Sequence, residues 1–220
     1  MGQKVNPLAF RLGTVFSWAS NWYAEGKDYH RFLLEDLQLR SFLLEKLKLA
    51  GITDVKIDRS INTLKITLFV ARPGVVIGRG GSGLEELKKL ITKQLKIDKQ
   101  SGKTPKFELS VIEVKNPDLS SRLIGLRLAE QLNKRYPHRR AAAQVMEKAM
   151  ASGAKGIKIL FSGRINGAEI GRREKFISGS IPLSTIRSNI DYFQQPAFTK
   201  YGYVGIKVWI YKGEGVDASA

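Results

Sequence analysis

The 220-residue sequence contains no cysteine. That excludes disulfide stapling, thiolate metal sites and cysteine nucleophiles in one step. Histidine is nearly as scarce: there are two, His30 and His138, and neither sits in an H-E-x-x-H or comparable ligand spacing. No G-x-S-x-G elbow occurs either, so the sequence predicts no catalytic residue, no metal site and no cofactor. No window approaches the ~18 consecutive apolar residues of a membrane span. The opening "MGQKVNPLAFRLG" also lacks the apolar centre of a signal peptide. The expectation is a soluble cytoplasmic protein with neither membrane nor small-molecule substrate. Acidic residues are in short supply too: 20 Asp and Glu stand against 37 Lys and Arg, leaving a net charge of +17. A surface that basic repels itself unless an anion covers it. Nucleic acid is the expected partner, because neutralising its phosphates releases counterions.

What is present, 43% hydrophobic residues over this length, fills one large or two modest cores. Residues 1–27 read as an irregular arm whose Phe10, Phe16, Trp18, Trp22 and Tyr23 form an apolar strap. A helix is predicted from Asp28, as N-cap, to Gly51, with Phe32, Leu33, Leu37, Leu43, Leu44 and Leu47 on its inner face. Two alternating strands follow in "DVKIDRS" and "TLKITLFVA". Pro73 ends the second and opens a short helix through Val75, Val76 and Ile77. Beyond a cluster of glycines, Leu84, Leu87, Leu90, Ile91 and Leu95 mark one face of another helix. A loop over 99–106 and a strand "FELSVIEV" over 107–114 complete this unit. Asn116 and Pro117 start a second unit. It has two helices, the latter from Arg139 to near Gly153, and strands near 156–163, 168–178 and 201–211. The predicted fold class is α+β in two domains. The boundaries are an arm over 1–27, a first domain over 28–115, a second over 116–212 and a disordered tail over 213–220.

The glycines in "ARPGVVIGRGGSGLEELKKLI" fit two chemistries. Gly78, Gly80 and Gly83 spell the G-x-G-x-x-G of a dinucleotide fold. That motif wants a strand running straight into its first glycine and an acid about 20 residues on. Pro73 and "GVVI" interrupt the strand here, and the position about 20 beyond Gly83 falls in "KQSGKTPK", which carries no acid. A P-loop fails for want of its Lys-Ser/Thr. Gly78 and Gly81 instead spell the G-x-x-G of a KH domain, set between a short and a longer helix beside three strands. Glycines let a phosphate backbone approach the main chain, and the helix start behind them offers free N–H groups. Gly78, Arg79, Gly80 and Gly81 are therefore the candidate RNA-binding loop, with Val75, Val76 and Ile77 as an apolar platform beside it. Gly80 and Gly83 read as extra glycines that complete the other motif by coincidence.

A second basic centre lies at "NKRYPHRRAAAQ", where Lys134, Arg135, Arg139 and Arg140 put four charges within seven residues without an intervening acid. Pro137 breaks the helix there, so the charges flank a corner. They serve either an RNA strand or the ordinary end of a solvated helix.

With its helix before two strands and its third strand last, the first unit has the type II KH arrangement: a three-stranded sheet with helices on one face. The chain resembles the small-subunit ribosomal protein S three family over almost its whole length. The resemblance lies in "MGQKVNPLAFRLG", "ARPGVVIGRGG", "GAKGIKILFSGRINGAEIGRRE" and "YGYVGIKVWIYKGE". It implies a non-enzymatic constituent of the small-subunit head. Its second domain would set two helices on a mainly antiparallel sheet. The implied partners are small-subunit rRNA, mRNA, and ribosomal proteins S ten and S fourteen in the head, with S four and S five near the mRNA entrance. The family's mRNA-contacting cluster, credited with helping to open mRNA helices, falls on Arg139 and Arg140, with Lys134 and Arg135 one turn earlier. A further basic residue common in the family falls on Ala143. Candidates for rRNA are Gln3, Lys4, Asn6 and Arg11 in the arm, Arg72 before the glycine loop, and Arg164, Arg172, Arg173 and Lys175 around "SGRINGAEIGRRE". Strand alternation sets Arg173 and Lys175 on one face and Arg172 and Glu174 on the other; which face meets RNA stays open. The alternative to a ribosomal protein is a free KH-type RNA chaperone or assembly factor.

Overall fold

The computed structural model describes residues 4–60, 63–94 and 106–215. They fall into two compact units, residues 18–115 and residues 116–215 joined by the N-terminal residues up to 17.

In the first unit a short strand β1 (Ser20–Asn21) precedes helix α2 (Gly26–Lys46) and strands β2 (Ile52–Arg59) and β3 (Thr63–Val70). Helix α3 (Pro73–Ile77), the glycine loop, helix α4 (Ser82–Gln94) and strand β4 (Lys106–Glu113) follow. The sheet order is β1-β2-β3-β4. The β2–β3 pair is antiparallel and β3–β4 is parallel, a pairing that requires the α3–α4 crossover. Leu39, Leu43, Leu47, Ile57, Ile66, Leu68, Val76 and Ile91 fill the core between helices and sheet. The three predicted strands form β2 to β4, and β1 adds a parallel edge to them.

Helix α2 departs from its predicted face. The buried stripe runs through Asp36, Leu39 and Leu43 to Leu47 beyond the helix end, whereas Leu33 and Leu37 are exposed. Leucines occur on several sides of this helix, so periodicity alone did not select the inner one. Its N-cap is Glu25, without a side-chain capping bond, and Asp28 lies in the first turn. The predicted strap is likewise reduced to Phe16 and Trp22, both half-buried, since Phe10, Trp18 and Tyr23 are exposed. Trp22 packs edge-on against Phe32 at 5.8 Å and donates from Nε1 to the Asp36 carboxylate at 2.8 Å. Ser20 Oγ and Arg59 Nε donate to the same buried carboxylate at 3.0 and 2.9 Å.

In the second unit, α1 (Pro7–Phe10) belongs with helices α5 (Ser121–Asn133) and α6 (His138–Ala151). The strands are β5 (Gly156–Gly163), β6 (Arg172–Gly179), β7 (Ser188–Thr199) and β8 (Gly202–Glu214). All pairings in the order β6-β5-β8-β7 are antiparallel. Ile157, Ile159 and Phe161 of β5 and Ile206, Val208 and Ile210 of β8 point inward against the helices. Ala141, Ala142 and Ala149 are fully buried, small residues that bring α6 close to the sheet. The intervening positions of the strands form an outer face.

Strand β7 was not predicted. Its sequence "SNIDYFQQPAFT" contains Pro196, two glutamines and a register shift at Asn189/Ile190, so it lacks clean alternation. An edge strand tolerates all three, because its outer N–H groups need no partner in the sheet. The strand expected over 168–178 begins only at Arg172, after a 3-10 turn at Ile165–Gly167. At the other end β8 runs through Glu214, and the Gly215 N–H donates to the Arg187 carbonyl at 2.9 Å. The predicted tail beyond Gly215 lies outside the described residues.

The N-terminal arm is divided between the units. Residues from Trp18 onward join the first through Ser20 and Trp22. The earlier residues join the second through Arg11, which is fully buried. Its guanidinium donates to the carbonyls of Pro7 (3.0 Å), Pro182 (3.3 Å), Leu183 (2.9 Å) and Thr185 (2.8 Å). Burial lowers its pKa.

Candidate nucleic-acid interface

The glycine loop takes the form its residues dictate. Gly78, Gly80 and Gly81 have φ of 70°, 60° and 83°, a region that costs other residues about 1–2 kcal/mol. Among the described residues nothing lies within 4 Å of a Cβ built on Gly80 or Gly81, so the loop's outer side is open there to a ligand backbone. Gly83 is different. A Cβ there would sit 2.7 Å from the Val76 carbonyl oxygen and 3.1 Å from that of Ile77. Gly83 is therefore required for α4 to start against the end of α3, and its place in the G-x-G-x-x-G spacing has a packing cause. Arg79 is exposed, and its carbonyl accepts from Ser82 Oγ at 3.0 Å. Val75 and Ile77 are exposed beside it, while Val76 turns into the core. The predicted three-residue platform is a two-residue one. Arg72 lies exposed at the head of α3.

At the second basic centre α5 ends at Asn133, and Arg135 turns the chain with φ 58°. The Tyr136 N–H reaches back to the Gln131 carbonyl at 2.9 Å, a closure for which glycine is the usual residue. Arginine there costs about 1–2 kcal/mol and places a long cation at the bend. Helix α6 then starts with Pro137 as N-cap, no side-chain capping bond and no acid in its first turn. Arg139 and Arg140 instead occupy that turn, where the helix dipole already concentrates positive charge. Arg139 is 74% exposed and touches one acid, with Nε 3.6 Å from Glu174. Ala143 is exposed one turn further along α6, so that position has room for a longer side chain and lacks only charge.

His138, which the sequence sets within this basic run, is buried. Its Nε2 lies 2.8 Å from Glu174 Oε2 and its Nδ1 3.3 Å from Asn166 Oδ1. Arg172 Nε adds a contact to Glu174 at 2.9 Å. The His138 hydrogen bond, aided by the charges of His138, Arg172 and Arg139, holds the Glu174 pKa below its ordinary 4.5 despite desolvation. This settles the orientation of β6: Arg172 and Glu174 pair internally, and Arg173 and Lys175 lie on the outer face.

On that outer face the register sets Arg173 beside Ser162 and Gly205, then Lys175 beside Leu160 and Lys207. Lys158 stands next to Trp209, with Nζ 5.0 Å from the ring centre. Together with Lys4 these cations line a concavity of about 1190 Å³ that includes no carboxylate among the described residues. Burial, then the charges of Lys4 and Lys175, lowers the Lys158 pKa. An incoming anion would relieve that repulsion. Lys158 and Lys207 are absent from the sequence-based candidates. Strand alternation held the signal, but only the sheet order reveals that they share a face with Arg173 and Lys175. Asn6 is spent as the α1 cap, accepting from the Leu8 N–H at 2.9 Å. Arg11 is a correction: a guanidinium enclosed by four carbonyls cannot meet a phosphate. Arg164 lies apart, exposed, with Nε donating to the Ala168 carbonyl at 2.9 Å. Gln3 lies outside the described residues.

Among the described residues no group of His, Asp and Glu could hold a metal ion, and no helix is long and apolar enough to cross a membrane. A glycine loop between two helices, on a sheet whose β2–β3 pair is antiparallel and whose β3–β4 pair is parallel, defines an RNA-binding protein of the KH class. Comparison with known families agrees: residues 38–119 match the KH domain, and residues 128–210 match the ribosomal protein S3, C-terminal domain. The chain is 45% identical over 217 residues to the small ribosomal subunit protein uS3 of Vesicomyosocius okutanii, covering 99% of this chain and 91% of the relative. It is 45% identical to that of Enterococcus faecalis, covering 97% and 94%. Against that of Streptococcus pneumoniae it is 43% identical, covering 99% and 96%. The chain belongs to the uS3 family of small ribosomal subunit proteins, whose role is structural rather than enzymatic.

Proposed function

We propose that this protein is anchored in the head of the small subunit by rRNA and presents the α5–α6 corner to mRNA at its entrance to the ribosome. The outer face of the second unit, with Lys4, Lys158, Arg173, Lys175 and Lys207, takes rRNA phosphates. The loop Gly78–Gly81, with Arg72 and Arg79, takes a nucleic-acid backbone in the KH manner. Lys134, Arg135, Arg139 and Arg140 meet incoming mRNA and support the opening of its helices. Proteins S ten and S fourteen adjoin it in the head, S four and S five complete the entrance, and the particle works in the cytoplasm.

The observation that carries the mRNA reading is the start of α6. Two arginines in the first turn of a helix with no capping side chain and no acid of its own there are unfavourable; Glu174, 3.6 Å from Arg139, offsets this in part, and a further anion completes it. Replacing both, Arg139→Ala with Arg140→Ala, is expected to spare subunit assembly and to slow translation of structured mRNA more than of unstructured mRNA. Removing two phosphate contacts should also flatten the log–log salt dependence of single-stranded RNA binding by about 1.4. Loss of assembled subunits would instead make these arginines rRNA anchors and overturn the division of labour.

A further inference from the structure

The hairpin joining β7 to β8 carries aromatic side chains that no role described above uses. Phe198 is 65% exposed, Tyr203 68% and Tyr201 56%. Phe198 and Tyr203 are directly opposite across the strands, on the outer face, with ring centres 5.1 Å apart. Exposing a phenylalanine ring to water is unfavourable, and a single instance would need no explanation. Two paired rings beside a third form a patch, and the hairpin that holds them is fastened. Thr199 Oγ1 donates to the Gly202 carbonyl at 2.7 Å, closing the turn. The Asn133 side-chain amide, with its nitrogen toward the strand, donates to the carbonyls of Phe198 at 2.8 Å and Ala129 at 3.1 Å. Tyr201 lies so close over Gly167 that a Cβ there would be 2.5 Å from its ring, and the Arg164 guanidinium stands 5.7 Å from that ring's centre.

The electrostatic setting selects the partner. From Tyr192 to Trp209 the chain has no acidic residue, and Lys200 sits in the turn itself. Lys134 and Arg135 directly follow Asn133, which holds the hairpin. Rigid aromatic faces amid cations suit bases already out of a duplex, because every base has a face to stack while the charges follow its phosphates. Neither a duplex nor an acidic peptide offers that combination. We propose that Phe198 and Tyr203 are a stacking platform for unpaired RNA bases, with Lys200 and Arg164 on the adjoining phosphates. The proposal rests on the RNA-binding reading above and adds to it a requirement for single-stranded RNA.

The test uses the full chain and a fluorescein-labelled twelve-nucleotide single strand, with a duplex of the same length as reference, and reads anisotropy across a salt series. Phe198→Ala with Tyr203→Ala is expected to weaken single-strand binding about tenfold for each ring. The salt slope should stay unchanged, since no phosphate contact is lost. Duplex binding should not move. Phe198→Tyr with Tyr203→Phe should bind like the parent, whereas Phe198→Leu with Tyr203→Leu, which keeps apolar bulk in the hairpin, should not restore binding. Restoration by leucine, or single-strand affinity within twofold of the parent in the alanine pair, overturns the platform while leaving the RNA-binding reading intact. Absence of salt-dependent binding by the parent overturns both. In assembled subunits, short-wavelength cross-linking should attach a nucleotide to Phe198 or Tyr203, and its parent strand, rRNA or mRNA, names the source. A peptide from another subunit protein attached there instead would also overturn the proposal.

Discussion

Glu174 holds together three side chains that the sequence scatters over 35 positions: His138, Arg139 and Arg172. Its pKa is lowered, so it remains ionised in the folded protein at pH values where the unfolded chain begins to take up protons. The stabilisation is therefore fully present above 4.5 and is lost as pH falls through the depressed folded value. In urea unfolding, Glu174→Gln should be clearly less stable than the parent at pH 6, and the gap should close as the pH is lowered toward 3. A gap that persists undiminished at pH 3 would show that shape, not charge, is what Glu174 supplies. At this scale the sequence is legible in part. Alternation correctly separates Arg172 and Glu174 from Arg173 and Lys175, but nothing local says which pair turns inward. That choice is made by His138, buried from another element. Arg11 shows the opposite failure, since a basic residue in a polar arm looks like an RNA ligand until the carbonyls of residues 182–185 are seen around it.

At the scale of elements, the α3–loop–α4 segment is the most legible part of the chain. Pro73 at the first helical position, glycines at left-handed φ and the apolar face of Leu84, Leu87 and Ile91 all act locally. The role of Gly83 was not legible, because it depends on how near α3 and α4 come. Gly83→Ala should push its methyl into the Val76 carbonyl and cost the first unit about 1–3 kcal/mol. Equilibrium denaturation followed by a probe in that unit checks the value, and an unchanged midpoint would mean that the two helices separate freely. Strand β7 escaped detection for a related reason. Its pairing with β8 over residues 188–214 compensates for a poor intrinsic pattern, so tertiary context overrides local propensity.

At the scale of the molecule, the basic excess is arranged rather than spread. One acid-free concavity, one corner and one loop carry most of the residues proposed to meet RNA, while Glu35, Asp36, Asp118, Glu174 and Asp191 are engaged in ion pairs within their own units. The two units should also respond separately to damage. Arg11→Ala leaves carbonyls around residues 182–185 without their buried donor, a loss of at least about 2 kcal/mol. Native-state hydrogen exchange should then show weaker protection of the β5–β8 amides and unchanged protection of β2–β4. Equal weakening in both would mean that the units unfold as one.

The contacts of Arg11 also bear on how the chain is made. Its carbonyl partner Leu183 is 172 positions away, with the entire KH unit lying between them. At about 5–20 residues per second, a nascent chain waits roughly 10–30 s between making Arg11 and making that partner. The intervening unit can reach its native state during the wait, because its strands and helices need nothing beyond residue 115. Arg11 and its neighbours are thus made long before they can settle. Until then the growing chain carries an undocked segment around Arg11 and an unfinished second unit. The second unit therefore closes only after the KH unit has been made, although part of it precedes that unit in the chain.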